Sequence, residues 1–323
     1  LLRVAINILN WNRAADTLCC IAALSRLSLP PELGVSLEIC VLDNGSSAAD
    51  RQTLADGLRD TPVRLEYSPL NLGFAGGHNR LLRESLAVGV DFVWVLNNDA
   101  IADADCLAKM LRLIVSDETC GAVSPLIRAL HDRSHIDFCG AVHDWTALES
   151  IKAASPQQGA EFEKTRRPLT WLHGAAVMLR CRALRQVGLF DEDYFAYYED
   201  NDLGARLAAG GFSNRVAFDA SVSHFTTLGA PEERPTYFHY LMARNALLFW
   251  LKNCPDAWRR PIRYRVVQQS IVAAQRLENS GQHDKADACL LGAWDGLLQR
   301  IGPPRLERPV PWPMRLISRV FLR

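Results

Sequence analysis

Segments with strand periodicity and segments with helix periodicity alternate four times within the first 115 residues. Residues 3–9 form a short apolar run rich in branched side chains, which reads as a buried strand. Asp16 to Leu27 then has helical spacing. The pair recurs as Leu37–Leu42 with Ala49–Arg59, Val63–Tyr67 with Ala75–Val88, and Phe92–Leu96 with Ala104–Val115. That order implies βαβ units, a mostly parallel central sheet and an α/β fold. Ligands of such sheets bind beyond the carboxyl ends of the strands. The polar residues sit there: Asn10-Trp11-Asn12, Asp43-Asn44-Gly45 and Asn97-Asn98-Asp99.

The remainder is less regular. Residues 129–168 read as strands and loops, and the polar stretch 155–167 is expected to be mobile. Trp171 to Arg180 reads as a turn and a strand, with a short helix to Val187. Two short strands are expected between Gly211 and His224. From Thr236 the pattern is helical: Tyr237–Asn253, Ala257–Glu278 and Asp284–Arg300. A Pro-rich stretch, 303–313, precedes a final amphipathic segment, Met314–Leu322. No internal repeat is visible.

Lys plus Arg and Asp plus Glu each number 36, so no global field draws the chain to nucleic acid. One asymmetry is local: residues 300–323 hold six Arg against a single acid, Glu307. The nine Cys form no CxxC pair, the pattern of reduced thiols rather than of a disulfide framework or zinc site. No apolar run reaches the roughly 18 residues of a transmembrane helix. The chain opens on Leu1 without a signal-peptide pattern, which leaves room for a preceding segment.

Six carboxylates fall between Asp191 and Asp202, interrupted by Tyr194, Phe195, Tyr197 and Tyr198. Carboxylates this close repel, which raises the pKa of at least one and suits a general base. An acidic loop capping a helix N-terminus has the same composition. The other motifs are equally two-sided when taken singly. Asp43 before Gly45-Ser46-Ser47 is either a ligand carboxylate or a turn residue. Gly73, Gly76 and Gly77 let backbone approach a phosphate at a helix start, without the GxGxxG or P-loop spacing. Asn97-Asn98-Asp99 matches the few oxygen ligands that Mg²⁺ takes from a protein, and also an ordinary turn. A lone His224 at a strand end is more often structural than a ligand.

The order of these motifs resembles the inverting glycosyltransferases of family 2, which have the GT-A fold, and among them the rhamnosyltransferase-like branch. ILNWN, VLDNGSS, NLGFAGGHN, VWVLNNDA, WLHGAAVMLR, GLFDEDYFAYYEDNDLGARLAAGG and SHFTTLG follow that family's sequence over about residues 3–250. The resemblance implies a GT-A catalytic domain over residues 1–235, with a nucleotide-sugar half to about 115 and an acceptor half beyond it. A C-terminal helical extension with a basic amphipathic tail covers 236–323. It implies nucleotide-sugar contacts at Asn10, Asn12, Asp43, Gly76, Asn79, Asn97 and Asn98, and an acceptor side at Gly174 and Tyr198. Asp99 matches the last position of the family's DxD metal motif, His224 completes the metal or diphosphate site, and Asp200, with Glu199 beside it, matches the catalytic base. Asn97 stands where DxD begins with Asp, which removes a formal charge from the metal site.

The implied reaction is a single displacement. Asp200 takes a proton from an acceptor hydroxyl, which attacks the anomeric carbon of a nucleoside-diphosphate sugar, and Mg²⁺ or Mn²⁺ neutralises the departing diphosphate. The acceptor would be a glycan or a lipid-linked saccharide of the cell surface. Arg244-Asn245 resembles a recurrent extension of this branch and is expected beside the acceptor side. Within the tail, Met314, Ile317 and Phe321 share one helical face and Arg315, Arg319 and Arg323 another. Such a helix docks a cytoplasmic protein on an anionic inner membrane, covers its own domain, or makes a homodimer contact. Two other readings compete. A sugar nucleotidylyltransferase carries a Gly-rich segment where this chain has Asn10-Trp11-Asn12-Arg13. A non-catalytic sugar-binding module would have lost Asp99 or Asp200.

Overall fold

The computed structural model describes residues 1–144, 147, 149–225 and 233–321, with Phe321 described for its backbone alone. Residues 226–229 of the SHFTTLG motif, the Phe321 side chain and Arg323 therefore lie outside the described residues. The first half alternates as its periodicity requires: β1 (Leu2–Asn10), α1 (Ala14–Leu24), β2 (Val35–Asn44), α2 (Ala48–Leu58), β3 (Arg64–Ser68), α3 (Gly73–Ala87), β4 (Phe92–Asn97), β5 (Ala100–Ala102) and α4 (Cys106–Ser116). Then follow β6 (Cys120–Ala129), β7 (Ile136–Phe138), β8 (Ala141–Asp144), β9 (Glu149–Lys152), α5 (Pro156–Thr165), β10 (Thr170–Trp171), β11 (Ala176–Arg180), α6 (Cys181–Val187), α7 (Glu199–Ala209) and β12 (Ser213–His224). The C-terminal helices are α8 (Thr236–Asn253), α9 (Arg259–Asn279), α10 (His283–Leu297) and α11 (Trp312–Phe321).

The main sheet runs β3-β2-β1-β4-β11-β6-β12-β5, with β7 added to β6. β3, β2, β1 and β4 are parallel, and β11 enters antiparallel between β4 and β6. Strands buried on both faces read as continuous apolar runs, which is why β1 and β4 are so easily seen. Register places Asn10 opposite Asp43, and Leu9 opposite Asn97, so the polar residues collect at one edge.

Two expectations are corrected. Most of the stretch 155–167 is a helix, α5 (Pro156–Thr165), rather than a mobile loop. Ser155 accepts a hydrogen bond from the Gln158 amide, Pro156 occupies the first turn, and Gly159 lies so close to the Cys139 carbonyl that a Cβ would collide with it. Its Glu163 also takes the Arg215 Nε at 2.7 Å. The two strands expected before His224 are one strand, β12, whose register against β6 shifts between Ala217 and Ser221. Such a bulge breaks the sequence period without ending the strand.

The chain divides into two compact units. The first comprises Leu1–His143, Ser150–Phe190 and Leu203–Thr226 and holds the main sheet. The second comprises Asp144–Glu149, Asp191–Asp202 and Thr227–Arg323. The acidic stretch is thus grouped with the C-terminal helices. In that second unit α8 and α10 approach closely, because Gly292 lies against the Tyr240 carbonyl where a Cβ would have no room. The α11 pattern resolves into two faces. Met314 is wholly buried, whereas Trp312 is 75%, Leu316 54% and Val320 65% exposed. None of the described helices is long and apolar enough to cross a membrane.

Candidate active site

In the first unit, the strand ends carry a closed polar network. Asn10 is wholly buried, and its amide donates to Asp43 Oδ1 at 3.2 Å, Ser46 Oγ at 3.1 Å and Asp50 Oδ2 at 2.8 Å. Its Oδ1 accepts from Thr17 at 2.8 Å, and Thr17 in turn receives the Asn98 amide at 3.0 Å. The Asn10 side chain is therefore engaged within the protein, where it orients Asp43. Asp43 Oδ2 pairs with Arg51 Nε at 3.1 Å. Asn12 adopts φ 53°, a conformation Asn tolerates, and its Oδ1 caps the Ser47 amide at 2.8 Å. The turn after Asp43 needs Gly45, at φ 80°, because a Cβ would lie 2.5 Å from the Leu70 carbonyl carbon. Ser46, Asp50 and Arg51 are members of this network that sequence reading missed, since helix α2 carries the last two with no motif to mark them.

The glycine-rich turn opens α3, and Gly76 and Asn79 are both buried there. Asn79 grips the backbone of one residue: its amide donates to the Phe190 carbonyl at 2.8 Å and its Oδ1 accepts the Phe190 N–H at 3.0 Å. His78 packs between the Phe74 and Phe190 rings, and burial pulls its pKa down to about 3, so it is neutral.

Asn97, Asp99 and His224 meet at the other side of β4. The meeting depends on β5, three residues too short to show a period. β5 pairs antiparallel with β12 so that His224 lies opposite Ala100, and the Phe225 N–H reaches the Asp99 carbonyl at 3.2 Å. Asn97 Nδ2 and His224 Nε2 are then 3.1 Å apart across 127 residues of chain. Asp99 Oδ1 lies 3.1 Å from the same Nε2, yet it is buried and has no aligned hydrogen-bond donor. Nε2 carries a single lone pair, so a cation held by it and by Asp99 Oδ1 would take the place of the Asn97 contact. No group of three His, Cys, Asp or Glu gathers among the described residues, so a metal here would take its remaining ligands from substrate and water. Gly174 is buried in the turn that ends at β11. The carbonyl of its neighbour Ala175 accepts the Asn97 N–H at 2.9 Å, and the His173 ring lies 6.3 Å from that of His224.

In the second unit, the six carboxylates separate into different roles. Asp191 caps the turn at Asp193 and pairs with Lys252 at 2.6 Å. Asp202 is wholly buried and also meets Lys252, at 2.8 Å. Glu192 and Asp193 are exposed. Glu199 is 4% exposed and its Oε2 has no hydrogen-bond partner. Burial first, and then the charge of Asp200, pushes its pKa well above the ordinary range, which favours its protonated form. Asp200 is half-buried in the first turn of α7, where its Oδ1 accepts the Asn201 N–H and side-chain amide, both at 2.8 Å. Tyr198 packs on Phe249 with ring centroids 5.6 Å apart, and burial pushes its phenol up to about 12. Phe195, Tyr197 and Tyr198 all have φ between 65° and 73°, conformations that cost about 1–3 kcal/mol each in non-glycine residues and collect at functional sites. Arg244 and Asn245 lie wholly buried beneath this turn, bonded to its carbonyls.

A largely parallel sheet with its polar edge at the strand carboxyl ends, followed by C-terminal helices, is the architecture of the GT-A glycosyltransferases. The mannosyltransferase PcManGT from Pyrobaculum calidifontis, solved with GDP-Man and Mn²⁺, shares the fold with a TM-score of 0.55 at 16% identity, over 99% of this chain and 84% of its own. GalNAc-T7, solved with UDP, GalNAc and Mn²⁺, gives 0.57 at 15% identity over 82% of this chain and 54% of that one. Residues 3–245 match the family described as glycosyltransferase like family 2, and the chain belongs to that family. It is an enzyme, a glycosyltransferase. It is similar to the N-acetylglucosaminyl-diphospho-decaprenol L-rhamnosyltransferases of Mycobacterium tuberculosis strains CDC 1551 / Oshkosh and ATCC 25618 / H37Rv. Each is 28% identical over 262 residues, 75% of this chain and 82% of the relative.

Proposed function

We propose that this glycosyltransferase moves a sugar, rhamnose by analogy with the mycobacterial relatives, from a nucleoside diphosphate to a lipid-linked saccharide with inversion. The observation that carries the reading is the convergence of Asp99 Oδ1 and His224 Nε2 at 3.1 Å, without an aligned hydrogen bond, at the carboxyl edge of the sheet. Asp43, oriented by Asn10 and Arg51, takes the nucleoside, with Asn12 shaping the turn around it. Gly76 lets backbone approach the diphosphate, and Asn79 braces the chain at Phe190. Asn97 and Asn98 fix the backbone that presents Asp99, and Asp99 and His224 would hold Mg²⁺ or Mn²⁺. When bound, the ion stabilises negative charge on the departing diphosphate.

Asp200 is the base in this reading. Glu199 is closed off by burial, which raises its pKa, whereas Asp200 is half-buried and reachable. The acceptor hydroxyl gives its proton to a carboxylate oxygen of Asp200 as its own oxygen bonds to the anomeric carbon. The glycosidic electron pair leaves with the diphosphate. Gly174 and Tyr198 contribute to the acceptor side. The exposed stripe of Trp312, Leu316 and Val320, with Arg315 and Arg319 beside it, would hold the enzyme against the anionic inner face of the membrane that carries the acceptor. Asp200→Asn decides the central assignment: transfer should be abolished while binding of the nucleotide sugar survives, and near-native turnover removes Asp200 from the role.

A further inference from the structure

We propose that Arg244 and Asn245 are positioning residues that fix the backbone turn preceding Asp200, and that residues 295–308 complete their clamp. The C-terminal segment is then a working part of the catalytic apparatus. The proposal rests on Asp200 as the base.

The turn is one the chain would not adopt unaided. Phe195, Tyr197 and Tyr198 have φ of 65°, 68° and 73° within four residues of one another. Such conformers persist only where the surroundings over-determine them. The surroundings here are two adjacent side chains of α8. Asn245 Nδ2 donates to the carbonyls of Tyr194 at 3.0 Å, Ala196 at 2.8 Å and Tyr197 at 2.8 Å. Arg244 Nη2 donates to Tyr194 O at 2.8 Å and Asp193 O at 3.3 Å. Arg244 Nε then donates to Asn245 Oδ1 at 2.8 Å, which locks the amide's orientation. Both side chains are wholly buried. A guanidinium presents a rigid fork of donors, and Lys could not reproduce it.

An outer layer comes from the C-terminal segment. Arg244 Nη1 donates to the Gly302 carbonyl, and the Gly302 N–H returns to Asp193 O at 3.1 Å. The path to Gly302 is pinned by Asp295, which is wholly buried. It accepts the Tyr240 hydroxyl at 2.7 Å and Arg300 Nη1 at 3.0 Å, and is paired with Arg308. The Arg244 guanidinium stands over the Tyr240 ring, 5.5 Å from its centroid. The donors of the clamp converge on carbonyls three to seven positions before Asp200, so relaxing them moves the base rather than the nucleotide contacts of the first unit.

The test compares Asn245→Ser, which removes the three Asn245 bonds of the inner layer, with Arg308→Ala, which loosens only the outer layer. Binding of UDP and of dTDP serves as the probe of the first unit, and its stoichiometry normalises turnover to folded enzyme. With Asn245→Ser, kcat per binding site should fall about 30-fold while nucleotide Kd stays within about twofold. Amides 195–200 should also exchange faster with solvent. Arg308→Ala should give a smaller fall with the same split. The clamp is overturned if Asn245→Ser turns over within about twofold of the native rate, or if nucleotide binding falls in parallel with kcat. Where Asn245→Ser does not fold, Arg308→Ala decides by the same criteria. Asp200→Asn, run alongside, separates the two levels: turnover there defeats the reading of the base, whereas a dead Asp200→Asn with native-rate clamp variants defeats the clamp alone.

Discussion

Glu199→Gln should change how the stability of the protein depends on pH. The Glu199 carboxyl is 4% exposed with an unpartnered Oε2, and burial and the Asp200 charge hold its pKa well above 4.5. In the unfolded chain the same group titrates in the ordinary range, near 4.3. Below that range both states carry the proton and the group contributes no pH dependence. Above it the unfolded chain releases the proton while the folded protein keeps it, so the folded state binds one proton more and stability falls as pH rises. For one proton the slope is about 1.4 kcal/mol per pH unit, continuing until the folded-state pKa is passed. The amide keeps the shape and removes the titration. The difference in unfolding free energy between variant and native protein should therefore be flat below about pH 3, and should grow by about 1.4 kcal/mol over the first unit above about pH 5. Urea denaturation of both proteins across about pH 3 to 7 measures it directly. Parallel stability curves over that range would refute the idea that burial holds Glu199 protonated.

Two further outcomes follow from the site and the tail. Asp99→Asn should weaken Mn²⁺-dependent binding of a nucleoside diphosphate at least about tenfold while leaving metal-free binding unchanged, as read by calorimetry with and without the ion; equal loss in both conditions would place Asp99 outside the metal site. Replacing Leu316 and Val320 with Asp should abolish flotation with phosphatidylglycerol vesicles and leave thermal stability near native, because both side chains are more than half exposed. Unchanged flotation, or a dimer that dissociates in the variant, would assign the stripe to another use.

Part of the site is legible in the sequence. Asn10, Asp43 and Asn97 end apolar runs, and a parallel sheet has to collect strand ends at one edge, so their proximity follows from period and order. The polar stretch 155–167 misled because its helix is made by a cap, a proline and a contact with Cys139, not by an apolar stripe. In α11 the pattern was real but incomplete: Met314 faces inward, and the exposed stripe is Trp312, Leu316 and Val320. Arg244-Asn245 could be placed on a helix, but nothing local shows that their partners are backbone carbonyls some fifty residues away.

What the sequence determined by itself was the alternation of strand and helix, carried by short-range spacing, and the resemblance to the family with the chemistry it implies, carried by the order of the motifs along the chain. Tertiary structure decided how the six carboxylates divide. Glu199 is buried with its pKa raised, Asp202 is paired with Lys252, and Asp200 is half-buried with its Oδ1 oriented by the two Asn201 amides. It also decided that Asp99 and His224 converge, through a three-residue strand with no period of its own. The physical reason is the same in both cases. Burial and ion pairing depend on what non-local packing brings against a side chain, and identical residues within one acidic run can meet opposite environments.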